Sequence, residues 1–160
     1  MKFAADTGAL LSLACSRFWK ILAQEHTFIL TPAVVEELRQ FAQYDDFLGI
    51  KAQELLQLKW KIFAPAHVLA LNLETAEREV FSIAKEQGLA VLTDDLQAIR
   101  VGYEKAKITA KPSFYLLLIL YQKKKISKEE LVEDIKILLN RRNWLSGALG
   151  TYALKLIEEL

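Results

Sequence analysis

Short β-like runs alternate with longer stretches of helical spacing over most of this chain, and that rhythm points to an α/β fold with a parallel sheet. Lys2 to Ala5 predicts a short strand feeding a helical stretch from Thr7 to Leu22, and Thr27 to Leu30 predicts a second strand. Thr31-Pro32 opens the next helix, because the hydroxyl can cap free N–H groups and proline at the first helical position loses no hydrogen bond. A helix over Asp46 to Leu58 leads to a strand at Trp60 to Phe63, which Pro65 closes. Thr75 to Gln87 forms a helix stopped by Gly88, and the apolar run Leu89 to Thr93 reads as a buried strand. Leu96 to Ala106 repeats the helix, and Lys107 to Thr109 supplies a short last strand.

From Pro112 the alternation stops. Three helical segments follow, Pro112 to Gln122, Ser127 to Asn140 and Leu145 to Leu160, and the capping box Ser127-Lys128-Glu129-Glu130 fixes the start of the second. With 160 residues and neither linker nor repeat, the expected organisation is an α/β unit over residues 1–111 with a helical tail, residues 112–160, packed on the same domain. A hydrophobic fraction of 52% with only 6 Gly and 3 Pro excludes a disordered or collagen-like chain. Lys plus Arg total 21 against 20 Asp plus Glu, so any nucleic-acid contact is a local feature and not a uniformly basic coat.

The one cysteine, Cys15, excludes an internal disulfide and a cysteine-built zinc site; it reads as core packing, in the cysteine usage of a cytoplasmic protein. Phe114 to Tyr121, the longest unbroken apolar run, is far shorter than the roughly 20 residues that span a bilayer, so a buried helix and no membrane contact are expected. Leu13-Ala14-Cys15-Ser16 loosely resembles a lipoprotein cleavage site, but Asp6 interrupts the hydrophobic region and only Lys2 supplies a positive flank.

Several chemistries fall on the absence of their motifs. Neither G-x-G-x-x-G nor G-x-x-x-x-G-K is present, which removes dinucleotide and phosphate-loop readings. No G-x-S-x-G elbow occurs, and His26 and His67 both read as surface loop residues, so a Ser or Cys triad has little to draw on. Asp6-Thr7-Gly8 matches the aspartic-protease triplet but feeds a helical pattern instead of the all-β setting that chemistry needs, and Gly8 removes an Asp-x-Asp phosphotransfer site.

What remains is carboxylates. Asp6 follows the first strand and Asp94-Asp95 follow the strand Leu89 to Thr93, so all would sit at the carboxyl edge of a parallel sheet, where open α/β folds bind ligands. Their bland role is helix N-capping. On the Thr31 helix, Val34, Val35, Leu38, Phe41 and Ala42 mark the inward stripe; Glu36 points away from it and Glu37 lies at its margin, able to turn into a cleft. Glu77 is placed alike in the first turn of its helix, with Glu79 on the other margin as its main competitor. Carboxylates some 5 Å apart at an effective dielectric near 20 repel by roughly 3 kcal/mol per pair, so a convergent set calls for a cation. Oxygen-only ligands favour Mg²⁺ or Mn²⁺ over zinc.

These residues resemble the PIN-domain nucleases, small metal-dependent proteins of Rossmann-like α/β fold, over most of residues 3 to 109. Phe3-Ala4-Ala5-Asp6-Thr7 is similar to the first motif of the family, and Thr31-Pro32-Ala33-Val34-Val35-Glu36-Glu37-Leu38 to its second, with Glu37 in the acidic slot. Glu77 through Ala84, Gly88 and Leu92-Thr93-Asp94-Asp95 is similar in spacing to the VapC-type toxin ribonucleases, with Asp95 in the last acidic position and Asp94 an extra neighbour. Thr93-Asp94-Asp95 also resembles archaeal PIN endonucleases that process ribosomal RNA, and the segment after Ile108 resembles the tail of a prokaryotic group of stand-alone PIN proteins. The chain departs from the pattern at Glu77, where many members carry Asp, and at Ala76, where tail-bearing relatives often carry Gly.

The resemblance implies a Rossmann-like PIN fold, a short parallel sheet flanked by helices with a C-terminal helical extension. It also implies a Mg²⁺- or Mn²⁺-dependent endoribonuclease acting on single-stranded or structured RNA. Asp6, Glu37, Glu77 and Asp95 would hold the metal, Thr7 or Thr93 would steady a carboxylate or water, and Asp94 would stand beside them. Arg100, Lys105, Lys107, Lys111, Lys123 to Lys125 and Arg141-Arg142 are the candidates for phosphate contacts. The alternative is a catalytically silent PIN-like module that binds RNA or protein. An antitoxin-like protein partner belongs to the toxin reading, and the apolar tail suits either the core or a homodimer surface.

Overall fold

Five short strands, β1 (Lys2–Ala5), β2 (Thr27–Leu30), β3 (Lys61–Ile62), β4 (Ala90–Leu92) and β5 (Ala110–Lys111), form one parallel sheet in the order β3-β2-β1-β4-β5. The computed structural model describes residues 1–144 and 147–160. Phe3, Ala4 and Ala5 of β1 are all buried, as a central strand covered on both faces requires. The order reverses between β1 and β4, which pair through Ala5 and Leu92, so the chain leaves both carboxyl ends at the point where open α/β sheets form their crevice.

The helices α1 (Thr7–Cys15), α2 (Trp19–Glu25), α3 (Pro32–Phe41), α4 (Phe47–Leu56), α5 (Thr75–Gln87) and α6 (Leu96–Val101) connect the strands. Alanines at 4, 5, 76 and 84, each almost fully buried, let α5 pack closely on β1 and β4, and Phe3, Phe81 and Leu10 are fully buried in the same core. Gly88 ends α5 in the left-handed conformation at φ 63°, where a side chain would be strained.

The tail comprises α7 (Tyr115–Gln122), α8 (Lys128–Arg141) and α9 (Ala148–Glu158). Leu116, Leu117 and Leu120 of α7 and Leu131, Ile135 and Leu138 of α8 are buried in the core that β1 and α1 also build. Ser127 caps α8 in the expected capping box. The expected start of the last helix, Leu145, lies outside the described residues. No helix among the described residues is long and apolar enough to cross a membrane.

The structure corrects three boundaries. The helix expected from Thr7 to Leu22 breaks at Ser16, because buried Asp134 of α8 accepts hydrogen bonds from the Ser16 hydroxyl at 2.5 Å and from the Arg17 N–H at 3.0 Å, holding Ser16 extended. The last strand forms at Ala110–Lys111 instead of Lys107 to Thr109, since a π-helical turn, Gly102–Ala106, and left-handed Lys107 use up chain first. The turn passes over Phe81 so closely that a Cβ on Gly102 would enter its ring. The helix expected from Pro112 begins at Tyr115, because Ser113 N–H is drawn to Asp94 at 2.7 Å.

Candidate active site

Asp6 leaves β1 where the sheet reverses and caps α1, its Oδ1 accepting the Thr7 N–H at 2.8 Å. Only 9% of it is exposed. Thr93, at the carboxyl end of β4, donates its hydroxyl to Asp6 Oδ2 at 3.2 Å and accepts the Asp95 N–H at 3.2 Å. One threonine therefore joins the carboxyl ends of both strands.

Thr7 turns its hydroxyl the other way, onto Glu37 Oε2 at 2.6 Å, and so ties α1 to α3. Glu37 is half-buried at the margin of the apolar stripe of Val34, Val35 and Leu38, where the helical angle puts it. Glu77 is also half-buried and closes the capping box of α5, accepting the Glu74 N–H at 3.1 Å. Asp95 caps α6 through the Ala98 N–H at 2.9 Å. Glu77 and Asp95 share a cleft of about 260 Å³ with Glu74, Asn72, Leu73 and Gln97.

The electrostatics link the four acids. Burial, then the nearby charges of Glu77 and Glu37, push the Asp6 carboxyl up to about 7. Burial first, and then Asp95, Glu74 and Glu37 against the opposing Glu74 N–H, raise Glu77 as well. Among the described residues no three His, Cys, Asp or Glu side chains stand as a ready-made metal-binding group. The donor set is nonetheless all carboxylate oxygen, and an acid held partly protonated by its burial and then by its neighbours is what a hard divalent cation would relieve.

Asp94 faces elsewhere. Its oxygens accept Ser12 Oγ at 2.6 Å, Ser113 Oγ at 3.0 Å and the Ser113 N–H at 2.7 Å, making it a brace between α1 and the segment before α7. Glu79, the competitor of Glu77, accepts the Ala33 N–H at the start of α3 at 3.1 Å. His26 is buried, not a surface loop residue. It packs edge-on against Phe3 and Phe28, with no hydrogen-bond partner at either ring nitrogen among the described residues, and burial lowers its pKa. His67 is exposed, and Cys15 is buried in the core.

The basic candidates scatter. Lys123 and Lys125 pair with Glu25, beside the amino end of β2 and so at the sheet edge away from Asp6. Lys107 and Lys111 lie over the rings of Tyr103 and Tyr115, and Arg141 over Phe47. Arg142 alone of these has its guanidinium beside Gly8, next to the acids. Sequence reasoning missed Ser12, Ser113, Asn72, Glu74 and Gln97; Ser12 had a signal, a hydroxyl in the middle of an otherwise apolar helix.

The fold recurs in a PilT N-terminus domain protein from the hyperthermophilic archaeon Sulfolobus solfataricus P2, which is 20% identical, with 74% of this chain and 92% of that one covered at a TM-score of 0.54. No curated protein matches the chain. The family model described as DUF3368, PIN domain, matches residues 2–159, helical tail included. The chain belongs to that PIN-domain family.

Proposed function

We propose that this PIN-domain protein is a Mg²⁺- or Mn²⁺-dependent endoribonuclease of the cytoplasm, with its acids on residues 1–111 and residues 112–160 as a packed tail. What supports the proposal is that Asp6, at the β1/β4 reversal, is raised to about 7 by its burial and by the charges of Glu77 and Glu37, while Asp95 and Glu37 act on Glu77 in turn. Those four side chains would hold the metal. A bound divalent ion would supply charge neutralisation and an ionised water for in-line attack on a phosphodiester. Thr7 holds Glu37, Thr93 holds Asp6, and the caps on α5 and α6 fix Glu77 and Asp95. Exposed Phe41 and Tyr44 beside Glu37 offer aromatic faces for unstacked bases, which favours single-stranded or loop RNA over duplex.

The test is cleavage of single-stranded RNA by purified protein with either metal, lost with EDTA and in Asp6→Asn. A second reading, a catalytically silent binding module, draws on the capping roles of Glu77 and Asp95, each of which already serves a helix. Calorimetric titration with Mn²⁺ separates them: the nuclease shows saturable binding that Asp95→Asn abolishes, and the silent module shows none. A toxin role with an antitoxin partner is tested by growth arrest on expression, relieved by a neighbouring gene product.

A further inference from the structure

Among the described residues of the helical tail, Arg142 stands next to Gly8 and Asp6. α8 runs back along α1: Asp134 grips Ser16 and Arg17 at the carboxyl end of α1, while Arg142, just past the end of α8, lies over the amino-terminal half. The two are eight positions apart, about 12 Å of helix at 1.5 Å per residue, close to the length of α1. The Asp134 clamp therefore sets where Arg142 falls.

Arg142 is held by one edge. Its Nε donates to Ser12 Oγ at 3.0 Å, and the Ser12 hydroxyl in turn donates to Asp94 or to the Gly8 carbonyl. The Nη groups have no hydrogen-bond or ion-pair partner among the described residues. Nη2 lies 3.7 Å from the point where a Cβ on Gly8 would stand, and Asp6 Oδ2 lies 3.6 Å from that same point. Glycine thus leaves open a gap bordered by unused guanidinium donors and by the buried acid. The Arg142 charge also acts on buried Asp94 through the Ser12 relay, but that contact uses only the Nε edge and leaves the Nη groups without a partner among the described residues.

We propose that Arg142 is a substrate-binding residue of this site, and that its Nη groups grip a backbone phosphate of single-stranded RNA passing over Gly8 toward Asp6. A phosphodiester suits both groups: its anionic oxygens take the fork of N–H donors, and a cation held by the acids would attract the same oxygens. The assignment rests on the ribonuclease reading, and it makes the tail part of the active site.

The test is fluorescence anisotropy of a labelled single-stranded RNA on the full chain in an Asp6→Asn background, together with Mn²⁺-dependent cleavage by chains that retain Asp6. Arg142→Gln raises KM about tenfold and lowers the slope of log K against log salt by about 0.7, the loss of one phosphate contact on a single strand. Arg142→Lys restores the slope without restoring full affinity, since a point charge replaces the fork. Gly8→Ala removes a helical glycine, so it folds at least as well as the parent, yet weakens RNA binding by narrowing the gap. Ser12→Ala frees the tether and leaves the slope intact. If Arg142→Gln and Ser12→Ala lower Tm alike while slope and KM stay at their parent values, Arg142 is only a brace and the assignment fails. If the unaltered chain neither binds nor cleaves RNA, the assignment and the nuclease reading fail together. If it does both and Gly8→Ala binds unchanged, the assignment alone fails.

Discussion

The Thr7 hydroxyl donates to Glu37 Oε2 at 2.6 Å, the direct link between the first turn of α1 and the acid on α3. Thr7 is 3% exposed, so no water replaces the bond from its side. Thr7→Val keeps the shape and removes the donor. Hydrogen bonds to charged groups contribute about 1.5–3 kcal/mol, and half-buried Glu37 recovers part of that from solvent, so a loss of roughly 1–2 kcal/mol is expected. Urea unfolding measures it. If Glu37 serves the metal, cleavage falls by more than the stability does, because the carboxylate is free to swing out of the site.

The raised acid gives the protein a signed dependence on pH. Asp6 moves from 3.8 to about 7 in the folded chain, so between those values the folded state keeps a proton that the unfolded state has released. This contribution to stability is fully present below the unfolded value and is lost as pH rises through about 7. Glu77, also raised, acts in the same direction. Asp6→Asn flattens the decline, and the variant unfolds at higher urea than the parent at pH 8. Mn²⁺ added at pH 8 raises the Tm of the parent and leaves Asp6→Asn unmoved; equal shifts in both would place the ion elsewhere.

Local chemistry made much of this architecture legible. Thr31-Pro32, Gly88 and Ser127 set helix ends through their own backbones and side chains, and all three ends fall where expected. Apolar alternation located β1 and β2 for the same reason: each buries its own residues. The misplaced boundaries depend on residues distant in the chain. Ser16 breaks a helix only because Asp134 arrives 118 positions later, and β5 shifts because the π turn must clear Phe81. Within the site, spacing could indicate which acids reach the carboxyl edge of the sheet. It could not assign Asp94 to Ser12 and Ser113, a pairing that needs the tail in place. His26 was misread because a residue just before a strand ordinarily lies at the surface, whereas here Phe3 and Phe28 enclose it.

Asp134 is the buried anchor of the tail. It is 0% exposed and accepts from the Ser16 hydroxyl, the Arg17 N–H and Arg17 Nε at 3.2 Å. Asp134→Ala strands those donors, and leaving the buried Ser16 hydroxyl and the Arg17 N–H without an acceptor costs about 1–3 kcal/mol each. Arg17→Ala costs less, since its guanidinium is half solvated and the Ser16 hydroxyl and Arg17 N–H still satisfy the carboxylate. Urea unfolding of the two variants at one pH checks the asymmetry, and equal losses would mean that the ion pair, not the backbone and hydroxyl contacts, holds α8 to α1.

Gly102 sits in ordinary right-handed helical geometry at φ −59°, so its backbone would accept alanine. The obstacle is the Phe81 ring, which a Cβ would penetrate. Phe81 is fully buried, so relief requires the π turn to lift or the ring to leave its rotamer, and overpacking of this kind costs about 1–3 kcal/mol. That outweighs the gain of up to about 1 kcal/mol from replacing a helical glycine. Gly102→Ala is therefore destabilising, and Phe81→Leu, itself destabilising through the cavity it leaves, recovers part of the loss when combined with it. A double-mutant cycle on urea unfolding should return a coupling of about 0.5–3 kcal/mol between these contacting residues. Strict additivity would show that the turn rises freely off the core, and the late start of β5 would then need a cause other than the clearance of Phe81.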